Sequence, residues 1–343
     1  MKAAVTGLLA LLLAAVVSAQ QTDVHLLPLR GNVYLLVGAG ANITLSVGKE
    51  GVLLVDTGTA QMADKVVAAI AQLSKDVNAA TTARPCAGLG CSGNEFASFL
   101  GTVASPAPPK PIQYIINTSA DADHTGGNAK IAAAGTTIGG GPGLGQFVGI
   151  VKESAMIYAH ENVLERMSAA KIPTAALPTE SYPNDFKQYF NGEGILLTHQ
   201  KAAHSDGDTI VHFRGSDVIS AGDILSTVSY PVFDMTKGGS INGMIASLNN
   251  LLDLAIAEYQ TEGGTLIVPG HGRVCDSADL ATYRDMVTIL RDRVQDAVKR
   301  GLTLEQTKAA RLTKDYDPRY DVPSWTKDQF VEAMYRSLTS VKK

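Results

Sequence analysis

The chain has 343 residues, of which 45% are hydrophobic and 18% are charged, and its formal net charge is −4. A chain of this length can bury one large core, or a core with an extension, and the composition is ordinary for a globular protein. Charges of both signs are scattered along the sequence, so we expect no nucleic-acid partner.

The N-terminus has the pattern of a secretory signal peptide. Met1-Lys2 is followed by a small, apolar run that ends at Val17-Ser18-Ala19. A positive start, a short apolar stretch and small residues before a cleavage point define such peptides, here residues 1–19. The run is too short and alanine-rich to predict a membrane span, and the alternative is a retained N-terminal anchor. We therefore expect an exported protein, periplasmic or secreted, with no stable membrane span after cleavage.

The region after the signal peptide is predicted to be rich in strands. Short apolar or β-branched runs between Gly and Asn turns predict strands at 25–29, 33–37, 43–47 and 51–55. Apolar residues spaced by three and four from Met62 to Leu73 then predict a helix.

Residues 77–110 break this periodicity and are rich in Ala, Pro, Gly, Thr and Ser, so we interpret them as an inserted loop. The loop contains Cys86 and Cys91, which could pair in an oxidising compartment. A metal-binding pair is the alternative, although no second Cys/His pair follows at zinc-finger spacing.

The second half of the chain alternates between strands and helices. Apolar runs predict strands at 112–116, 156–160, 195–198, 209–213, 217–220 and 265–268. Helical periodicity predicts helices that start near 126 and 161 and cover 241–252 and 280–298. Thr303 with Gln306, and Thr326 with Gln329, have the spacing of helix capping boxes.

The residues with the most informative chemistry follow the predicted strand at 112–116. Residues 117–128 have the sequence N-T-S-A-D-A-D-H-T-G-G-N, which places Asp121, Asp123 and His124 on one short segment. Carboxylates and imidazoles on a loop after a strand can converge on one cation. Three other segments carry related side chains: Leu54-Val-Asp-Thr-Gly58, Ala203-His-Ser-Asp-Gly-Asp208 with Ala221-Gly-Asp223 after it, and Val268-Pro-Gly-His-Gly272.

Together, these segments resemble the metallo-β-lactamase superfamily, whose first motif is T-H-x-H-x-D-H-x-G-G-N. The resemblance covers roughly residues 25–275, but Ser119 and Asp121 stand where the family has its first two histidines. It implies an α/β fold, the four-layer αβ/βα sandwich, over residues 20–276 with the insertion at 77–110. The periodicity of residues 277–343 adds a helical C-terminal extension, which we expect to pack on that domain.

The resemblance also implies two adjacent metal positions. Asp123, His124 and His271 would form one, and Asp223 would bridge it to the other, where His204 and Asp121 lie. The first position keeps all its ligands and can hold Zn²⁺. The second is weakened, because the neutral Ser119 hydroxyl is a poor ligand. Since carboxylate oxygens favour harder ions, Fe²⁺ and Mn²⁺ are alternatives to zinc.

The function that the resemblance implies is a metal-dependent hydrolase acting on a small-molecule substrate. A bound cation lowers the pKa of its water to about 7, and the resulting hydroxide would attack an ester, thioester, lactam or phosphoester. We assign Asp123 as both ligand and catalytic proton acceptor. Asp56 would orient a ligand, and Gly126 and Gly127 would let the backbone turn tightly beside the ion.

Two departures from the family motif keep other functions open. Ser119 motivates a non-hydrolytic binding or accessory protein with a damaged metal site. Asp121 motivates an iron-dependent redox enzyme, because a carboxylate replaces an imidazole there.

Overall fold

The computed structural model describes residues 23–82, 111–139, 150–152, 154–256 and 263–340. The predicted signal peptide and the Cys86–Cys91 pair lie outside these residues, as does most of the predicted insertion.

The first sheet contains seven strands within the described residues. Four antiparallel strands, β1 to β4, are followed by three parallel ones, β5, β8 and β9, in the spatial order β1-β2-β3-β4-β5-β8-β9. The strands are β1 (His25–Arg30), β2 (Val33–Val37), β3 (Ile43–Val47), β4 (Val52–Val55), β5 (Ile112–Ile116), β8 (Met156–His160) and β9 (Glu180–Tyr182). A separate ribbon pairs β6 (Thr137–Gly139) with β7 (Ile150–Lys152).

The second sheet contains five strands of the described chain, in sequence order. The first four are antiparallel, and the last runs parallel to its neighbour. They are β10 (Phe186–Phe190), β11 (Glu193–Gln200), β12 (Asp208–Phe213), β13 (Val218–Ser226) and β14 (Leu266–His271).

The α-helices of the described residues are α1 (Ala63–Thr82), α2 (Ala122–Thr125), α3 (Asn128–Ala133), α4 (Glu161–Ala169), α5 (Ile241–Leu254), α6 (Ser277–Lys299), α7 (Leu304–Ala309), α8 (Asp317–Tyr320) and α9 (Lys327–Ser340). Thr303 forms the predicted capping box with Gln306 at the start of α7. Within the described chain, none of the helices is both long and apolar enough to span a membrane.

Alternate residues of the central strands point into different cores, which shows how the layers are stacked. Val52 of β4 packs outward with α1, whereas Leu53 packs inward between the sheets. In the second sheet, Ile210 of β12 packs outward with α5 and α6, whereas Val211 points inward. Strands covered on both faces are continuously apolar, as β4 is. The fold is therefore the predicted four-layer αβ/βα sandwich.

The helices after β14 share the outer core of the second sheet. Phe330 of α9 stacks on Tyr230 with ring centroids 4.7 Å apart, and the Tyr230 hydroxyl donates to Asp317 at 2.9 Å. Cys275 is buried in the same core.

Several elements differ from the sequence prediction. The strands β6, β7, β9 and β10 were not predicted, because they are short or lack regular alternation, as in Phe186-Lys-Gln-Tyr-Phe190. Strand β13 continues to Ser226, beyond the predicted end at Ser220. Its pairing with β14 shifts register on either side of Gly222, which breaks the regular pattern that sequence reasoning depends on.

Candidate metal centre

The six predicted ligands lie where the ends of both sheets meet. Asp121, Asp123 and His124 lie on the loop after β5 and on α2. His204 lies on the turn between β11 and β12, and Asp223 and His271 belong to β13 and β14. The two sheets are joined here by backbone hydrogen bonds, from Thr209 N to Thr118 O at 2.9 Å and from Asn42 N to Gly270 O at 2.8 Å.

Asp123, His124 and His271 form one cluster, which we call the Asp123 group. Each offers one ligand atom, and these atoms lie within 4.8 Å of one another. His271 Nε2 is 3.2 Å from Asp123 Oδ2 and 3.4 Å from Asp223 Oδ1. His124 Nε2 is 3.1 Å from Asp223 Oδ2. Asp223 therefore contacts both histidines of this group.

Asp121, His204 and Asp223 form a second cluster, the Asp121 group, whose ligand atoms also lie within 4.8 Å of one another. His204 Nε2 is 3.2 Å from Asp121 Oδ2. All six predicted residues thus lie together, in the two sets that the family resemblance implied, and Asp223 is next to both.

Asp56, directly after β4, orients the ring of His124 through a hydrogen bond with Nδ1. This Nδ1 lies 2.7 Å from Asp56 Oδ2, which also accepts from Thr118 Oγ1 at 2.6 Å. Thr118 N donates to Asp56 Oδ1 at 2.8 Å. Asp56 has a φ of 65°, a left-handed conformation that aspartate tolerates better than most residues. A histidine that donates a hydrogen bond from Nδ1 to this carboxylate presents the lone pair of Nε2 to Asp223.

The surroundings of His124 Nε2 show whether a cation fits the Asp123 group. This atom is buried and has no well-oriented hydrogen-bond partner within the described chain, although Asp223 Oδ2 is 3.1 Å away. Burial by itself lowers the pKa of His124, but the charges of Asp223 and Asp56 outweigh burial and raise the pKa well above its ordinary value. Negative charge is thus in excess around this nitrogen. A divalent ion would satisfy both the lone pair and the carboxylates, so the residues fit a metal.

His204 is supported by Asp208, which sequence reasoning did not connect with the site. Asp208 Oδ1 lies 3.3 Å from His204 Nδ1, and the same carboxylate accepts from Ser205 N at 2.7 Å and Ser205 Oγ at 2.8 Å. Burial lowers the pKa of His204, but hydrogen bonds with Asp121 and Asp208 raise it to about 10. Asp208 therefore both shapes the turn and orients the histidine.

Lys237 is the other residue that sequence reasoning missed. Its Nζ lies 2.7 Å from Asp121 Oδ1 and 3.6 Å from Asp234 Oδ2. Burial raises the pKa of Asp121, but His204 and Lys237 outweigh burial and lower the pKa below its ordinary range. The lysine is 116 residues from Asp121 in sequence, and no motif connects the two.

The small residues of the first motif support the segment that carries Asp121, Asp123 and His124. Ser119 is buried, and its Oγ accepts from Asp121 N at 3.3 Å rather than joining either group. Gly126 and Gly127 form the turn between α2 and α3, with right-handed backbone conformations that do not by themselves require glycine. They also allow close packing, because a Cβ at Gly126 would lie 2.6 Å from Ala60 N.

Exposure differs across the centre. The side chains of His124 and His204 are 0% and 3% exposed, whereas those of Asp123 and His271 are 36% and 34% exposed. The hydrogen bond from His271 lowers the pKa of Asp123, outweighing its partial burial. The accessible face of the centre therefore carries an ionised carboxylate beside an imidazole.

Residues 29–271 match the family model of the metallo-beta-lactamase superfamily, which is more than half of the chain. The chain belongs to this superfamily. The match spans both groups and ends at His271, so every residue of the candidate centre lies within it. Curated proteins provide no match.

Solved structures of the superfamily fold are similar to the chain. The DIM-1 metallo-beta-lactamase is 14% identical, with a TM-score of 0.51 over 78% of this chain and 97% of the lactamase. A double mutant of the sec-alkyl sulfatase PisA1 is 16% identical, with a TM-score of 0.57 over 91% of this chain and 50% of the sulfatase. At such identities the likeness establishes the metallo-β-lactamase fold.

Proposed function

We propose that the protein is a metal-dependent hydrolase with one divalent ion held by Asp123, His124, His271 and Asp223. The observation that carries the proposal is the buried His124 Nε2, which faces Asp223 without a well-oriented hydrogen bond in the described structure. Two imidazoles and two carboxylates are a ligand set that suits Zn²⁺, and iron or manganese are the alternatives.

An ion in this position would act as a Lewis acid and lower the pKa of a coordinated water. The protein's own side chains would position the reactants. Asp56 fixes the ring of His124, and Asp223 links the two groups. Asp123 is ionised and partly exposed, so it can accept a proton from the attacking water. An ester, thioester, lactam or phosphoester would approach over Asp123 and His271, the exposed side.

The proposal is tested by elemental analysis of the purified protein together with hydrolysis assays on one substrate of each class. The wild type should contain about one ion per chain, since one complete ligand set is present. His271→Ala should lose most of the metal and the hydrolysis. His25→Ala is the matched control, because His25 is exposed on β1.

Equal, near-zero metal content in the wild type and His271→Ala would end the proposal. A full complement of metal without hydrolysis of any substrate class would favour the accessory-protein alternative. Asp123→Asn should lose hydrolysis even at a metal concentration that fills the site, because an amide cannot accept the proton.

We also propose that the protein acts outside the cytoplasm, with residues 1–19 as a cleaved signal peptide. The support is the sequence of that segment, a positive start followed by a short apolar run and small residues. Expression with the native N-terminus and sequencing of the exported protein test this. A mature chain that starts at Gln20 is expected, and protein retained whole in the cytoplasm would contradict the proposal.

A further inference from the structure

The two groups of the centre differ in whether the protein supplies its own cation. Lys237 Nζ lies 2.7 Å from Asp121 in the Asp121 group. Neither Asp123 nor Asp223, which contacts both histidines of the Asp123 group, forms an ion pair with a lysine or arginine of the described chain. We propose that the Lys237 ammonium takes the place of a second metal ion, so that the protein binds one ion. This inference rests on the proposed function, because it requires an ion in the Asp123 group.

The Asp121 group has too few free ligands for a second ion. In this group, His204 offers one imidazole, and one oxygen of Asp121 is already bound to Lys237. The oxygens of Asp223 lie beside His124 and His271, where the ion of the Asp123 group would bind. The hydroxyl of Ser119, at the position of a family histidine, accepts from the Asp121 backbone instead. His204 and the other oxygen of Asp121 remain, which is fewer than the three protein ligands of a catalytic zinc site.

The Lys237 ammonium already balances negative charge in the Asp121 group. An ammonium group at 2.7 Å neutralises the Asp121 carboxylate, as a bound cation otherwise would. A divalent ion on the other oxygen of Asp121 would lie within a few ångströms of the ammonium, and like charges at that range repel strongly. Lys237 therefore favours the ion-free state of the Asp121 group.

Backbone hydrogen bonds hold the segment of Lys237 in place. The Lys237 carbonyl accepts from Asp206 N at 2.9 Å and from Arg166 at 3.1 Å. The short helical turn Met235–Lys237 is capped by the Asp234 side chain. It ends at Gly238, whose φ is 81° and whose Cβ would meet Asp206 at 2.8 Å. A lysine on a segment anchored at both ends is directed at Asp121 by the fold.

Lys237 also bears on the choice between functions. A redox centre that uses two adjacent irons needs ions in both groups, whereas hydrolysis can proceed with one. The placement of Lys237 therefore argues against a two-iron redox centre.

The test is a zinc titration of the apoprotein by equilibrium dialysis, with ions per chain counted for the wild type, Lys237→Met and Lys237→Arg. Methionine keeps the length of the side chain without charge, and arginine keeps the charge. The wild type and Lys237→Arg should bind one ion tightly. Lys237→Met should bind a second ion at least about tenfold more tightly than the wild type does, the scale on which neighbouring groups alter metal affinity.

Two tightly bound ions in the wild type would overturn the inference and leave the hydrolase proposal standing. A Lys237→Met protein that binds the second ion no better than the wild type would also overturn it. No tightly bound ion in any of the three proteins would instead remove the proposed function, and this inference with it. Circular dichroism of each variant confirms that the titrated protein is folded.

Discussion

Replacing Asp56 by asparagine should weaken metal binding, although Asp56 is not itself one of the proposed ligands. Asp56 accepts three hydrogen bonds, from Thr118 N, Thr118 Oγ1 and His124 Nδ1, at 2.8, 2.6 and 2.7 Å. Asparagine has the same shape and also tolerates the left-handed φ of 65°. An asparagine that keeps the Thr118 N bond presents its NH₂ group to His124. Nδ1 must then accept, the proton moves to Nε2, and the lone pair that faces Asp223 is lost.

The expected loss of metal affinity follows from the hydrogen bond that Asp56 makes with His124, a proposed ligand. Loss of such a partner reduces metal affinity by about 10- to 100-fold, which corresponds to about 1.4–2.7 kcal/mol. The value should lie in the upper part of this range, because His124 is 0% exposed and no water can replace the carboxylate.

Competition with a chromophoric zinc chelator measures the affinity, and thermal unfolding of the metal-free proteins measures the damage to the fold. Asp208→Asn is the matched control, since Asp208 is a buried carboxylate that supports His204 in the same way. It should reduce the affinity for the first ion less than Asp56→Asn does, because His204 is not one of the proposed ligands of that ion. Unchanged affinity in Asp56→Asn, or an equal loss in Asp208→Asn, would refute the reasoning.

Two further substitutions test the packing around the centre. In Gly270→Ala, the new Cβ would lie 2.5 Å from Asp223 Oδ1, so the carboxylate must move and zinc affinity in the chelator assay should fall at least about tenfold. Gly194→Ala, whose Cβ meets nothing within 4 Å, should leave the zinc affinity unchanged. Equal zinc affinities of Gly270→Ala and the wild type would show that Asp223 is not a ligand. Phe330→Ala removes a fully buried ring stacked on Tyr230 and should lower the free energy of unfolding in urea by about 3–5 kcal/mol, whereas the exposed Ile289→Ala should change it by about 0.5 kcal/mol or less. A small effect of Phe330→Ala, or a separate transition for the C-terminal helices, would contradict the shared core.

Much of the fold was predictable because its signals are local. Strands β2, β3, β5 and β8 begin and end at the predicted residues, since their apolar runs are bounded by turns. Helix α4 also has the predicted limits, with His160 as its N-cap. The order of Asp56, Asp123, His124 and His271 along the chain was enough to predict the superfamily. Such patterns depend on residues that are neighbours in sequence.

Other features of the site depended on which loops meet at the ends of the two sheets. Asp121 and Lys237 are 116 residues apart, and the segment around neither residue points to the other. The turn after β11 and the turn after β13 converge through hydrogen bonds such as Asp206 N to Lys237 O, and only this convergence pairs the ammonium with the carboxylate. Sequence by itself determined which residues could bind a metal. The tertiary structure decided which of their charges already have a partner, because electrostatic interactions depend on distance in space rather than on separation along the chain.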